Sequence, residues 1–265
     1  MKMLAEDIHH RLQSLRGGWS YPEDTVDRFV AGDPATEVRG VAVMWMSYAW
    51  ALEKAVALGC NLVITHEPTF FEHFDRAPET NRLAAAIRKR EFIKENGLVV
   101  LRCHDLWDRI REHGIPDSWG RFLELGPAAE ATEYLRVYEV EPTTAVAFAR
   151  KVAARTVALG QPEVQLIGPP DRPVRRVSTG TGAITPFLAS VEQLAVDLAV
   201  CSDDGIDYWR DGALAIDAGV PIVVVNHPVS EEAGVASLAD TVSRMLPSLP
   251  VHHIPQRCMY RLVSG

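Results

Sequence analysis

The sequence has no long apolar run, no paired cysteines and no excess of basic residues. No stretch approaches the ~20 apolar residues that cross a bilayer, so we expect no membrane-spanning helix. The four cysteines (Cys60, Cys103, Cys201 and Cys258) contain no CxxC pair, which is typical of reduced core thiols. The N-terminal segment lacks the basic start and apolar run of a signal peptide. We therefore expect a soluble, cytoplasmic protein.

Several common functional signatures are also missing. The formal net charge is -8, and an acidic surface does not attract phosphate backbones or anionic lipids. Binding to membranes or nucleic acid is therefore disfavoured. The chain contains neither a GxSxG nucleophile elbow nor a P-loop. What remains is 265 residues of ordinary globular composition, enough for one large domain or two of moderate size.

Short apolar runs alternate with helical segments along the chain. We predict buried strands at residues 40–46, 61–65 and 98–103, separated by helices at 48–57 and 79–95. Such alternation is typical of an α/β fold with largely parallel sheets and helices on both faces.

A second unit of similar organisation follows a loop rich in Gly, Pro and Ala at residues 126–131. We predict two α/β domains of related topology. The first comprises residues 1–128 with about 228–265, and the second comprises residues 129–227. A final strand at residues 259–263 is expected to return to the first sheet.

Three histidines directly follow predicted strands. His66 follows NLVIT, His104 follows LVVLRC and His227 follows PIVVVN. Each has an acid close behind it: Glu67 at the next position, and Asp108 and Glu231 four residues later. Ligands of open α/β sheets collect outside the carboxyl ends of the strands, so these side chains can converge. Imidazole with carboxylate is the ligand mixture that zinc, iron(II), manganese or nickel prefers.

Each of these positions also has a simpler interpretation. A single histidine after a strand commonly caps a helix or makes an ordinary hydrogen bond. Asp108 and Glu231 can be solvated acids in the first turn of a helix, where they complement the helix dipole. The threefold repetition of strand, histidine and acid favours a metal site.

Three segments resemble the Nif-three-like family, also called GTP cyclohydrolase I type 2 homologues. They are GVAVMWMSYAWALEKAVALGCNLVITHEPTFF, CHDLWDRIREHGIPDSWGRFLELG and NHPVSEE. The first is similar to the strand–helix–strand–His signature of that family. The second is similar to its His-x-x-x-Asp stretch, and the third to its late His-x-x-(Ser/Thr)-Glu motif. The order of the motifs holds over almost the whole chain.

The resemblance implies two α/β domains with a dinuclear centre in the cleft between them, and a toroidal homohexamer. It places metal ligands at His66, Asp108, His227 and Glu231. The family usually has a second histidine where this chain has Glu67; a carboxylate there still binds divalent ions but favours harder ones. The resemblance also covers His104, which we expect to support the ligands, with direct ligation as the alternative.

Two further segments are candidates to line the cleft. The STGTGA turn contains Ser178, Gly180 and Gly182 and follows a predicted strand, so its N–H groups can face phosphate. A tight strand-to-helix turn without a ligand is the alternative. Asp203 and Asp204 follow another strand end and can equally be capping acids.

Two functions from different classes fit these residues. The first is a metal-dependent hydrolase acting on a nucleotide or phosphorylated small molecule, with two divalent ions (Zn, Fe, Mn or Ni) as cofactors. By resemblance it would be similar to the type 2 GTP cyclohydrolases. The second is a non-catalytic hexamer that holds metal or acts in regulation. The same ligands serve both, so the sequence does not separate them.

Overall fold

The computed structural model describes residues 2–263. The chain divides into two compact units, Met1–Gly114 with Val235–Gln256, and Ile115–Gly234 with Arg257–Gly265. The boundaries differ from those of the predicted domains. The first falls at 114/115 rather than 128/129, the second falls at 234/235 rather than 227/228, and the last residues belong to the second unit.

The first unit contains a five-stranded sheet of order β1-β4-β3-β2-β11. Three of its four strand pairings are parallel; only β1 with β4 is antiparallel. Its elements are α1 (Ala5–Ser14), β1 (Phe29–Ala31), β2 (Val41–Met44), α2 (Ala49–Ala57), β3 (Leu62–Thr65), α3 (Pro78–Asn81), α4 (Ala84–Glu95), β4 (Val99–Arg102), α5 (Asp105–Arg109) and β11 (Val251–His253).

The central strands of this sheet follow from their sequence. Every residue of β2, β3 and β4 is buried, as expected for near-continuous apolar runs in a parallel sheet covered on both faces. Helices α2 and α4 pack Ala51, Leu52, Ala55 and Ile93 into the core of this unit. Parallel pairing brings the carboxyl ends of these strands to one edge of the sheet.

The second unit contains a six-stranded sheet of order β5-β6-β8-β9-β10-β7. Its elements are α6 (Ile115–Phe122), β5 (Glu130–Ala131), β6 (Arg136–Thr144), α7 (Ala145–Thr156), β7 (Gln165–Ile167), β8 (Pro173–Thr179), α8 (Phe187–Glu192), β9 (Leu198–Ser202), α9 (Ala213–Ala218) and β10 (Ile222–Val225). Helix α10 (His227–Met245) begins in this unit. A 3₁₀ turn lies at Val157–Leu159 and a π-helical turn at Tyr208–Gly212.

Parallel pairing is confirmed where β8, β9 and β10 meet, but the second sheet is mixed. Strands β5, β6 and β7 pair antiparallel with their neighbours. Strand β6 pairs directly with β8, and α7 lies between β6 and β7 along the chain. Apolar side chains cover both faces of this sheet, one with Trp119 and Phe148, the other with Phe187 and Ile206.

The predicted strand at residues 259–263 is wrong. No strand is formed there, and Met259 and Val263 are 62% and 93% exposed. Its place beside β2 is taken by β11 at Val251–His253, which pairs parallel with Val41–Val43. The apolar composition of residues 259–263 predicted burial. The two histidines of β11, between Pro250 and Pro255, do not form the apolar run by which the other strands were predicted.

The predicted helix at residues 79–95 is interrupted. Helix α3 ends at Asn81 and α4 begins at Ala84, because Leu83 adopts an extended backbone that starts a new helix. Within the part of the chain that the structure describes, no helix is both long and apolar enough to cross a membrane.

Candidate metal centre

The first unit brings two of the three predicted histidines together at the ends of neighbouring strands. His66 and Glu67 follow β3, and His104 follows β4. The two strands pair parallel with Thr65 opposite Arg102, so the residues after them leave the sheet at the same edge. The rings of His66 and His104 stack with centroids 4.6 Å apart.

Both nitrogens of His66 face acceptors. Nδ1 lies 3.3 Å from the carbonyl oxygen of Cys103, and Nε2 lies 3.4 Å from Oδ1 of Asp108. A carbonyl oxygen only accepts, so Nδ1 carries the proton in this arrangement and Nε2 of a neutral ring has a lone pair. A lone pair facing a carboxylate oxygen is unfavourable unless a positive charge lies between them.

His104 has the same kind of surroundings. It is the N-cap of α5, and its Nδ1 lies 3.1 Å from Asp105 and 3.4 Å from Asp108, one helical turn later. Its Nε2 lies 3.8 Å from Oε1 of Glu67. Burial by itself lowers the pKa of His104, but the carboxylates of Asp108, Asp105 and Glu67 outweigh burial and raise that pKa to about 10. This corner of the fold therefore favours a positive charge.

A buried carboxylate fixes the start of α5. The two oxygens of Asp27 accept the backbone N–H groups of His104, Asp105 and Leu106, at 2.6, 2.8 and 2.9 Å. Asp105 is held in turn by the Thr25 hydroxyl at 2.7 Å. Burial raises the pKa of Asp105, but its hydrogen bonds to His104 and Thr25 prevail and hold the pKa below its ordinary value. These contacts set the direction in which α5 presents Asp108.

The resulting donor set fits a divalent cation. His66, Glu67 and His104 each offer one ligand atom, and these atoms lie within 4.8 Å of one another. His66 is fully buried, whereas the side chain of Asp108 is 35% exposed. Two imidazoles with carboxylates, partly open to solvent, are chemically suited to a transition-metal ion with room for water or substrate.

The second unit holds the third predicted histidine at the start of a helix. His227 is the first residue of α10, directly after β10. Glu231 lies one turn later, so its Oε2 comes within 3.0 Å of Nε2 of His227. On the other side of the ring, Nδ1 lies 2.8 Å from Oδ2 of Asp204. Here too an imidazole has acceptors facing both nitrogens, and the site is suited to a cation.

The two acids after β9 make different hydrogen bonds. Asp204 orients the His227 ring; burial raises the pKa of Asp204, but the hydrogen bond to His227 outweighs it and lowers that pKa overall. Asp203 instead accepts from the backbone N–H of His227 and the side-chain amide of Asn226, at 3.0 and 2.7 Å. Asp203 therefore fixes the beginning of α10, as a capping acid does.

One residue of the STGTGA turn lies beside His227 and Glu231. Gly182 has φ +66°, and a Cβ built there would lie 2.5 Å from Oε1 of Glu231 and 3.4 Å from Nε2 of His227. Its N–H donates to the Ser230 hydroxyl at 3.3 Å. The absence of a side chain at Gly182 therefore leaves room for these two residues.

The other two residues of the turn serve packing. The Ser178 hydroxyl is buried and bonds Ser190 at 2.9 Å. Gly180 lies against Thr185, and its N–H donates to the carbonyl of Val200. The N–H groups of Gly180 and Gly182 therefore already have partners within the fold.

Two residues that contact the site in the first unit were not predicted from the sequence. Asp27, which caps α5, has no distinctive local pattern. Arg102 did carry a signal, because it is a charge at the end of the apolar run LVVLRC. A charged residue buried in such a run requires a partner, and Arg102 pairs with Oε2 of Glu67 at 3.2 Å.

Comparison with known proteins agrees with this fold. The profile of the Duf34/NIF3 family (NGG1p interacting factor 3) matches residues 24–257. The chain belongs to this family. The resemblance inferred from the three motifs is thereby confirmed. No curated protein matches the sequence.

Solved structures extend the match to the whole chain. A hypothetical protein of Staphylococcus aureus is 15% identical with a TM-score of 0.82, covering 99% of this chain and 100% of its own. A Bacillus cereus protein related to NIF3 is 15% identical with a TM-score of 0.78 and 99% coverage of both chains. A Thermus thermophilus protein is 17% identical with a TM-score of 0.75, covering 97% and 100%. At these identities the likeness concerns the fold.

Proposed function

We propose that this NIF3-family chain binds divalent metal ions and acts as a metal-dependent hydrolase of a nucleotide or phosphorylated small molecule. One observation carries the metal-binding part. Each of three histidines, His66, His104 and His227, has acceptors facing both ring nitrogens. A cation bound at the Nε2 side satisfies the imidazole lone pair and the neighbouring carboxylates together.

Partial solvent access supports catalysis rather than permanent storage. The side chains of Asp108 and Asp204 are 35% and 53% exposed, while His66 and Glu231 beside them are almost fully buried. A bound divalent ion supplies positive charge that polarises a phosphoryl or carbonyl oxygen and lowers the pKa of water. Asp108, at the solvent side, is placed to accept a proton from water or to orient it.

In the proposed arrangement two ligand groups hold the ions. The first group consists of His66, Glu67 and Asp108, with His104 beside them. The second group, in the second unit, consists of His227 and Glu231. That both groups serve one dinuclear centre is what the family resemblance implies, and it stays a prediction. The same applies to the homohexamer, the cytoplasmic location and the likeness to type 2 GTP cyclohydrolases.

Metal content of the full chain, purified without added metal, tests the proposal. We expect stoichiometric metal in the wild type and its loss in Asp108→Ala and Glu231→Ala. Asp217→Ala and Glu95→Ala are matched controls, because both acids are exposed and lie outside the ligand groups. Circular dichroism in chelator checks that each variant folds.

A panel of nucleotides, including GTP, and phosphoesters then tests hydrolysis by metal-loaded protein. Turnover that is lost with Asp108→Ala supports the hydrolase. Stoichiometric metal without turnover of any panel member favours the non-catalytic metal-binding function. Equal, substantial metal in all variants means that Asp108 and Glu231 are only helix-terminal charges, and the proposal falls.

A further inference from the structure

Arg102 is a fully buried arginine tied to the chain segment that carries the first ligand group. It is the last residue of β4 and is 1% exposed. Its Nε donates to the carbonyl oxygen of His66 at 3.0 Å, and its Nη1 donates to the carbonyl oxygen of His73. Its Nη2 donates to Oε2 of Glu67 at 3.2 Å. The guanidinium thus binds the loop after β3 at three points.

This contact determines how Glu67 is presented. The planar guanidinium has fixed donor directions, so it holds Oε2 on one side of the carboxylate. The other oxygen, Oε1, lies on the side of His104, 3.8 Å from Nε2. The side chain of Glu67 is 9% exposed, and water therefore screens the ion pair little. Arg102 therefore offsets negative charge that Glu67 brings to the group.

We propose that Arg102 is a positioning residue that presents Glu67 to a metal ion through one oxygen and sets which divalent ions the group prefers. This inference rests on the proposed metal-binding function. A free carboxylate favours hard ions such as Mn²⁺, whereas imidazole ligands suit Zn²⁺. With its charge offset and one oxygen occupied, Glu67 acts as a weak anionic ligand beside His66 and His104. The preference of the group then shifts toward Zn²⁺.

A double-mutant cycle separates this role from a general structural one. Arg102→Met is compared with the wild type, and Glu67→Gln/Arg102→Met with Glu67→Gln. Dissociation constants for Zn²⁺ and Mn²⁺ are measured by competition with a chelating dye. We expect Arg102→Met to raise the affinity for Mn²⁺ relative to Zn²⁺ about tenfold. In the Glu67→Gln background the same substitution should leave the ratio unchanged, because no carboxylate remains to be released.

The cycle also cancels the structural cost of the substitution. Arg102→Met leaves the carbonyls of His66 and His73 without the donor in both backgrounds, so that effect is common to them. If Arg102→Met does not fold, Arg102→Lys replaces it. A single ammonium keeps the charge but cannot span three acceptors. We expect a smaller shift in the same direction, again confined to the background that retains Glu67.

The outcomes are distinguishable. An equal shift in both backgrounds, or no shift in either, overturns the role of Arg102 while leaving metal binding intact. A wild type that binds neither ion overturns the proposed function and this inference with it. A shift that depends on Glu67 supports both.

Discussion

The two ligand groups of this protein bring their side chains together in different ways. In the second unit, His227 and Glu231 are four residues apart on α10, so helix geometry alone brings their side chains within 3.0 Å. In the first unit, His66 and His104 come from different strands and meet only because β3 and β4 pair in register. Local geometry secures one group, and sheet packing secures the other.

The groups also differ in what surrounds the imidazoles. The His66 ring is oriented by a backbone carbonyl and its neighbour Glu67 is paired with a buried arginine. The His227 ring is oriented by Asp204, an acid half exposed to solvent. We therefore expect metal binding by the first group to depend on nearby charge. Metal binding by the second group should depend on the shape of the site and on Asp204.

The largest effect is expected for Gly182→Ala. The new methyl group would lie 2.5 Å from Oε1 of Glu231, and the backbone has a positive φ that costs an L-residue about 1–2 kcal/mol. Metal bound by the second unit should be lost, as measured by metal analysis and thermal melts with and without metal. Gly219→Ala is the control, because its φ is +67° and nothing lies within 4 Å of its Cβ position. Equal loss of metal in both variants would mean that backbone strain, and not the contact with Glu231, is responsible.

A smaller loss is expected for Asp204→Asn. The amide no longer fixes the proton on Nδ1 of His227, and removal of such a partner lowers metal affinity about 10–100-fold. Isothermal titration with Zn²⁺ measures the change, with Asp217→Asn as the exposed control. Unchanged affinity would show that α10 alone orients His227, and would make the second group independent of its neighbouring loop.

The last prediction is a pair of opposite pH dependences of folding stability in chelator-treated protein. The pKa of His104 is about 10 in the folded chain against 6.5 unfolded, so the folded state binds more protons between these values. Its stabilisation is complete below pH 6.5 and is lost as pH rises toward 10. The pKa of Asp204 is lowered from 3.8, so its contribution is present above that value and is lost as pH falls through the lowered pKa.

Denaturant unfolding across pH measures both slopes. His104→Gln should flatten the alkaline slope alone, and Asp204→Asn the acidic slope alone. Saturating metal should also flatten the alkaline slope, because a cation then replaces the proton near His104. If the alkaline slope persists in His104→Gln, other groups cause that slope, and the expected difference between the units is contradicted.

Local sequence patterns encode the central strands and the histidine motifs of this protein. Near-continuous apolar runs specified β2, β3, β4 and β10, because such runs are stable only when both faces of a strand are buried. The position of each histidine directly after such a run predicted a strand-end site. The spacing of His227 and Glu231 predicted their contact, because the α-helical repeat returns a side chain to the same face after four residues.

Features that depend on pairing between distant segments became visible in the folded chain alone. Strand β11 rather than residues 259–263 completes the first sheet, because its backbone pairs parallel with β2. The second sheet is mixed because β5, β6 and β7 pair antiparallel with their neighbours, which no local pattern encodes. The cap that Asp27 places on α5 and the pairing of Arg102 with Glu67 join residues 35 or more positions apart. Electrostatic and hydrogen-bond partners of that kind follow from the fold, because local periodicity fixes which side chains are buried but not which distant groups they meet.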